Sequence, residues 1–288
     1  MSEQYTRRGF LKRAFGYSIG AILTTAFGYT YSRYIEPHQL EINRYDVRSP
    51  YIPKGFKGIR ILQFSDTHIG HYYDIDQFSE LIHTINGLEA DLVFFTGDLI
   101  DAPDRYPNPS QLIPLLSAIR APLGKFSIYG NHDHGGYGTE SYKQIMEQAG
   151  FTLLINSATN ITFLNETITI AGLDDYMLGR PDFEQTLRQI PENEYTILLA
   201  HEPDVAKISH SYPVHLQLSG HSHGGQVQFP FYGAVITPPY ASDYVEGFYE
   251  IGNIPLTLYV NRGLGTTRVP FRFLSKPEIS IFTLKPGT

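Results

Sequence analysis

Cysteine is absent from this 288-residue sequence. That excludes a disulfide scaffold, a zinc ribbon, a cysteine nucleophile and a thiolate-held iron–sulfur cluster. Charge is sparse as well, at 18% of residues against 42% hydrophobic. The chain is therefore no disordered tail, and it has the apolar material for a full core in one large domain or two small ones. Internal repeats and low-complexity runs are missing beyond residue 34. Positive charge is scarce where nucleic acid would need it. Residues 1–34 hold Arg7, Arg8, Lys12, Arg13 and Arg33 against Glu3, which leaves 17 of the 22 basic and 28 of the 29 acidic residues elsewhere, a net −11. So acidic a body is a poor non-specific nucleic-acid binder, because such binding rests on cationic contacts to phosphate. Any phosphate chemistry here needs positive charge from something other than lysine and arginine.

What is present begins with an address. Thr6-Arg7-Arg8-Gly9-Phe10-Leu11-Lys12 precedes an uncharged stretch from Ala14 to Ser32. A basic segment before a moderately apolar one has the form of an export signal. The arginine pair followed by Phe10-Leu11-Lys12 resembles the twin-arginine signal, which implies export in the folded state through the twin-arginine translocase. An ordinary membrane anchor is the alternative, although Gly16, Gly20 and Gly28 weaken a span. Thr24-Thr25-Ala26 is the best small-residue cleavage match. Residues 1–34 are thus expected to be a signal or anchor, 35–57 an extended linker punctuated by Pro37, Pro50 and Pro53, and 58–288 the catalytic domain.

The body repeats one pattern: a short apolar run, rich in β-branched and aromatic residues, stops at a residue able to bind metal. Residues 59–64 run into Ser65-Asp66-Thr67-His68, and 92–95 into Thr96-Gly97-Asp98. Residues 126–129 run into Gly130-Asn131-His132-Asp133, 196–199 into Ala200-His201, and 214–218 into Ser219-Gly220-His221-Ser222-His223. Each run has strand length and composition. Helix-spaced Ile75, Phe78, Leu81, Ile82 and Ile85, and the segments 110–119 and 139–149, separate the first three. Spacings of about 32 residues suit strand–helix–strand units, hence parallel neighbours with their polar ends gathered at one sheet edge. Residues 152–171 and 226–283 carry strand-like runs without long helices, which predicts a second, more antiparallel sheet.

Asp66, His68, Asp98, Asn131, His201, His221 and His223 form a donor set of carboxylates, an amide and imidazoles. Such a set suits Mn²⁺, Fe or Zn²⁺ and disfavours soft metals. Seven side chains exceed one tetrahedral zinc and match two ions sharing a carboxylate and a hydroxide. Two divalent ions would leave the locus positive inside an acidic body. Taken singly, each aspartate or asparagine after a strand is as well explained by a cap or an Asx turn. The weight lies in the ordered set.

In that order, Asp66-x-His68, Gly97-Asp98, Gly130-Asn131-His132-Asp133, His201 and Gly220-His221-x-His223 resemble the calcineurin-like metallophosphoesterase family, over roughly residues 58–225. With the leader and the stretch 130–136, the similarity is greatest to its exported, YkuE-like branch. The resemblance implies an α/β fold, a four-layer αββα sandwich of two mixed β-sheets. It implies Asp66, His68 and His223 on a first ion, Asn131, His201 and His221 on a second, and Asp98 between them. It makes His132 the catalytic histidine, with a second-rank role beside the metals as the alternative, and Asp101 the carboxylate that pairs with it, with a loop cap as the alternative. Where protein phosphatases continue with an arginine after that aspartate, this chain has Ala102-Pro103, which argues against a phosphoprotein substrate.

The implied function is hydrolysis of small phosphomono- or phosphodiesters by a metal-bridging hydroxide, with two divalent ions, Mn²⁺ favoured, outside the cytoplasmic membrane in contact with membrane or wall, and without nucleic acid as partner. The alternatives are a UDP-sugar or UDP-lipid pyrophosphatase of the same family, a non-catalytic metal-binding envelope protein, and a wall-attachment module. Gly224-Gly225-Gln226 brings backbone near substrate or makes a tight turn, and His134 with Gly135-Gly136 lines the pocket or forms a surface loop.

Overall fold

Alternate residues of the short apolar runs point into different layers, which is why these strands read as uninterrupted hydrophobic stretches. Ile61, Leu92 and Phe94 face one core, while Leu62, Phe64, Val93 and Phe95 face another. The computed structural model describes residues 6–134, 139–252 and 256–287. Their strands are β1 (Glu41–Ser49), β2 (Arg60–Phe64), β3 (Leu92–Phe95), β4 (Gly124–Ser127), β5 (Thr152–Leu153), β6 (Ser157–Phe163), β7 (Glu166–Gly172), β8 (Thr196–Leu199), β9 (Leu216–Ser219), β10 (Gln228–Phe229), β11 (Gly233–Ala234), β12 (Gly247–Ile251), β13 (Leu256–Val260) and β14 (Glu278–Pro286). The helices are α1 (Arg7–Thr30), α2 (Ile75–Gly87), α3 (Leu112–Ser117), α4 (Asn131–His134), α5 (Thr139–Gln148), α6 (Phe183–Leu187) and α7 (Ala206–Ser209).

Among the described residues, two six-stranded sheets run β1-β14-β2-β3-β4-β5 and β12-β13-β9-β8-β7-β6, and β10 with β11 makes a small hairpin. Ile61, Phe94, Phe126 and Phe282 from the first sheet pack against Ile170, Ile197, Leu199 and Leu218 from the second. On the outer face of the first sheet lie α2, α3 and α5, through Phe78, Leu81, Ile82, Leu116 and Ile145. The outer face of the second is covered by α6 and α7 through Leu187 and Ala206. This is the αββα sandwich. Helix α2 starts where the sequence can cap it: Asp74 accepts from the Gln77 N–H while Gln77 returns a bond to the Asp74 N–H, a reciprocal capping box.

The second sheet is the more antiparallel of the two: β6 and β12 reverse at its edges, two antiparallel pairings against the single β14–β2 pairing of the first, while β7, β8, β9 and β13 run parallel. One expectation is corrected. Residues 35–57 are not a linker. Strand β1 pairs in parallel with β14 along its length, and β14 in turn pairs antiparallel with β2. Glu36 is fully buried and accepts the Ser275 N–H at 2.6 Å. Helix α1 has no buried residue, and no described helix is long and apolar enough to cross a membrane.

Candidate metal centre

The carboxyl ends of β2, β3, β8 and β9, and of the segment after β4, converge where the two sheets meet. Backbone geometry sets the side chains there. Asp66, His68, Asp98, His221 and His223 all have positive φ, between 43° and 67°. Non-glycine residues in that region are costly, of order 1–3 kcal/mol each, and persist where the surroundings over-determine them. Gly220 is needed for a different reason: a Cβ there would collide with Ser65 and the Asp66 carboxylate. That clearance lets the His221 N–H reach both Asp66 oxygens at 3.1 Å.

Asp66, His68 and His223 bring one ligand atom each within 4.8 Å of one another, and so do Asp98, His201 and His221. The first trio is the predicted first set, and the second joins His201 and His221 of the predicted second set to Asp98; a third such trio is His68, Asp98 and His132. His68 Nε2 lies 3.0 Å from His223 Nε2 and 3.4 Å from Asp98 Oδ2, and His201 Nε2 lies 3.3 Å from the same Asp98 oxygen. Asp98 thus stands between the sets. All six are buried. Asn131 Oδ1 and His201 Nε2 are buried with no hydrogen-bond partner. Buried polar atoms are rarely left unpaired, and both belong to the predicted second set. His201 Nδ1 donates to the Thr96 carbonyl at 2.6 Å, and His221 Nε2 donates to the Pro239 carbonyl at 2.9 Å. Each bond fixes one tautomer and leaves the other ring nitrogen free to bind an ion. The residues present therefore fit a pair of divalent cations.

The charges are unevenly poised. Burial pushes the Asp66 carboxyl above its usual range, whereas for Asp98 the same burial is overcome by His201 and His132, which hold it well below. Burial, with His201 beside it, pushes His221 down to about 3. Burial, His68 and Arg272 likewise push His223 well below its ordinary value. Both imidazoles are in the neutral, metal-binding form. His201 moves the other way: burial opposes its charge, but Asp98 raises it well above the ordinary value. For His132, burial is outweighed by Asp98 and Asp101, so its pKa is raised.

Asp101 departs from expectation. Its Oδ1 lies 3.1 Å from His68 Nδ1 and 3.7 Å from His132 Nδ1. The carboxylate therefore braces His68, a predicted ligand. His132 Nδ1 instead donates to the Asp101 backbone carbonyl at 2.6 Å, and its own N–H donates to Asp98 Oδ1 at 2.8 Å.

Three residues were missed. Asp133, quoted only as part of a motif, accepts the N–H groups of Asp98, Leu99 and Gly130 at 2.7, 3.0 and 2.9 Å, which locks the β3 and β4 loops together. Arg272 is fully buried beside His223, donating to the carbonyls of Arg262, Gly265 and Ser275. Its setting between Phe271 and Phe273 was the available signal. Arg268 lines the cleft, so the ions are not the sole source of positive charge at the site. That cleft, about 370 Å³, is lined by His68, Asp98, Asn131, His132, His221 and His223, and also by Gly225 and Gln226. His134 is bonded to Asp174 at 2.6 Å, and Gly135 and Gly136 lie outside the described residues.

Comparison with known proteins agrees with this geometry. The calcineurin-like phosphoesterase family model matches residues 59–225, more than half of the chain. An uncharacterized metallophosphoesterase of Bacillus subtilis, YkuE, is 51% identical over 284 residues, covering 98% of this chain and 99% of that protein. Phosphodiesterase YaeI of Escherichia coli is 29% identical, over 95% and 98% of the two chains. UDP-2,3-diacylglucosamine pyrophosphatase LpxG of Chlamydia trachomatis is 26% identical, over 91% and 96%.

Proposed function

The chain belongs to the calcineurin-like phosphoesterase family and is a metal-dependent phosphohydrolase, and from that premise we propose that it hydrolyses small phosphomono- or phosphodiesters at the cell envelope. The observation that carries the reading is the buried convergence of donors: Asp66, His68 and His223 form one cluster, Asp98, His201 and His221 another, and Asp98 Oδ2 lies within 3.4 Å of imidazoles from both, with Asn131 Oδ1 buried and without a hydrogen-bond partner. Asp66, His68 and His223 would hold one ion, Asn131, His201 and His221 the other, and Asp98 both. Two bound divalent cations supply an activated water and neutralise phosphate charge. The protein's own part is orientation and proton supply. Asp101 and the Thr96 carbonyl fix His68 and His201. The backbone carbonyl of Asp101 holds the His132 ring at the cleft, and Asp98 and Asp101 favour its protonated form. His132 then delivers a proton to the leaving oxygen. Mn²⁺ is the favoured metal, on the strength of the nitrogen and oxygen donors.

A diphosphate substrate is the second reading. Arg268 lines the same cleft as the ligands and offers a fork for a second phosphate, and one relative is named as a pyrophosphatase of a UDP-linked sugar lipid. Duplex nucleic acid remains a poor fit to a body of net −11. We infer export through the twin-arginine translocase from Arg7-Arg8, which open the exposed helix α1.

The test is a panel of a phosphomonoester, a phosphodiester and a UDP-sugar, offered to metal-stripped protein with and without Mn²⁺, Fe²⁺ or Zn²⁺. Turnover is expected only with metal, rising until two ions per chain are present. Equal turnover in stripped protein, or none with any metal, contradicts the proposal.

A further inference from the structure

One wall of the cleft has no work in the hydrolysis. Apart from the ligands the lining is largely apolar, with Met177, Val227, Phe229, Val235, Ile236 and Val269. Several of these are open to solvent: Ile236 is 69% exposed and Phe229 52%. Phe231 and Tyr232, at the tip of the β10–β11 hairpin, extend the exposed apolar surface. The wall is nevertheless built. Gln226 and Thr267 exchange two hydrogen bonds, 2.9 and 2.7 Å, across its base. The Gln228 N–H donates to the Phe273 carbonyl and the Phe273 N–H to the Gln226 carbonyl, both at 2.8 Å. Phe229 packs on Phe273, and Tyr31, just past α1, packs on Phe273 from another side. An apolar surface held open by a polar frame is costly in water unless something covers it.

The occupant is constrained by what else lines the cavity. The wall shares one continuous cleft with the predicted metal ligands and Arg268. A molecule filling it presents a phosphate at one end and an apolar chain at the other. A second protein would need a broad face, whereas this cleft of about 370 Å³ holds a small molecule and is lined by the ligands themselves. Building on the hydrolase reading above, we propose that the substrate is an amphiphilic phosphoester whose hydrocarbon chain lies along the Val227–Ile236 wall while its phosphate reaches the ligand cluster. The wall would then select substrates by chain, and the ligand cluster by phosphate.

Binding tests this without requiring turnover. Full-length, Mn²⁺-loaded protein is titrated calorimetrically with methyl-, butyl-, hexyl- and octylphosphonate below their micelle concentrations. Affinity is expected to rise by about two- to fourfold per methylene, the usual scale for burying a CH₂. In Ile236→Glu and Phe229→Ser, both at exposed positions, the gain per methylene should fall by about half or more. Leu164→Glu, an exposed apolar position on the β6–β7 turn away from the cleft, should keep the wild-type slope. Equal affinity for methyl- and octylphosphonate, no phosphonate binding at any length, or an unchanged slope in both wall variants overturns the proposal. The same preparation is assayed with p-nitrophenyl phosphate. Hydrolysis with a flat slope removes the wall alone. A steep slope without hydrolysis leaves the wall standing and removes the hydrolase reading.

Discussion

Asp98 does two things with two oxygens. Oδ1 accepts the His132 N–H at 2.8 Å, and Oδ2 sits 3.4 Å from His68 and 3.3 Å from His201. It reaches a ligand from each predicted set and the backbone of the predicted acid. Asp98→Asn should therefore lose metal and activity together, whereas His132→Ala, outside both sets, should retain two ions. The latter should lose turnover by about 10²–10⁴ on an alkyl ester, the usual scale of general acid catalysis, and less on a nitrophenyl ester, whose leaving group needs no proton. Elemental analysis alongside rates separates the cases. Two full equivalents in Asp98→Asn, or equal losses on both esters in His132→Ala, would count against these roles. The seven donors were legible because each is a metal-capable residue at the end of an apolar run. The partner of Asp101 was not, since spacing places a carboxylate near Asp98 but cannot say which imidazole turns toward it. Arg268 and Arg272 were hidden for another reason: they come from the loops before β14, far along the chain from any ligand motif.

At the scale of elements, the least legible piece was β1. Glu41-Ile-Asn-Arg-Tyr-Asp-Val-Arg-Ser is polar along most of its length, and only Val47 is buried. An edge strand needs few apolar side chains, because its partner β14 supplies the register. Long-range ties complete it: Arg262 bridges Glu41 and Glu278, each at 2.8 Å. The strand–helix–strand units were legible because their strands are apolar on both faces and their helices have a clear 3.6-residue stripe. Truncation distinguishes α1 from β1. Removing residues 1–34 should leave the fold intact. Removing 1–50 uncovers β14 and deletes the apolar burial made by Val47 and parts of Ile42 and Tyr45, a loss of roughly 3 kcal/mol. At about 2–4 °C per kcal/mol for a domain of this size, the melting temperature should drop by about 10 °C. Equal melting temperatures for the two truncations would mean that β1 adds nothing.

At the scale of the whole molecule, an acidic body of net −11 surrounds a centre where carboxylates and imidazoles face one another across about 3–4 Å. That arrangement is hard to sustain without cations: His68 and His223 point nitrogens at each other, and Asn131 keeps a buried oxygen without a hydrogen-bond partner. The sandwich brings β2, β3, β4, β8 and β9 to one rim from two sheets, so the donors assemble only in the folded chain. Sequence order announced the set, and packing of the two sheets supplied the distances. The direct test is anomalous diffraction from crystals grown with Mn²⁺. Two peaks about 3.5–4 Å apart are predicted, one beside Asp66, His68 and His223, the other beside Asn131, His201 and His221, with Asp98 between them. A single peak, or none among these residues, would contradict a two-metal centre.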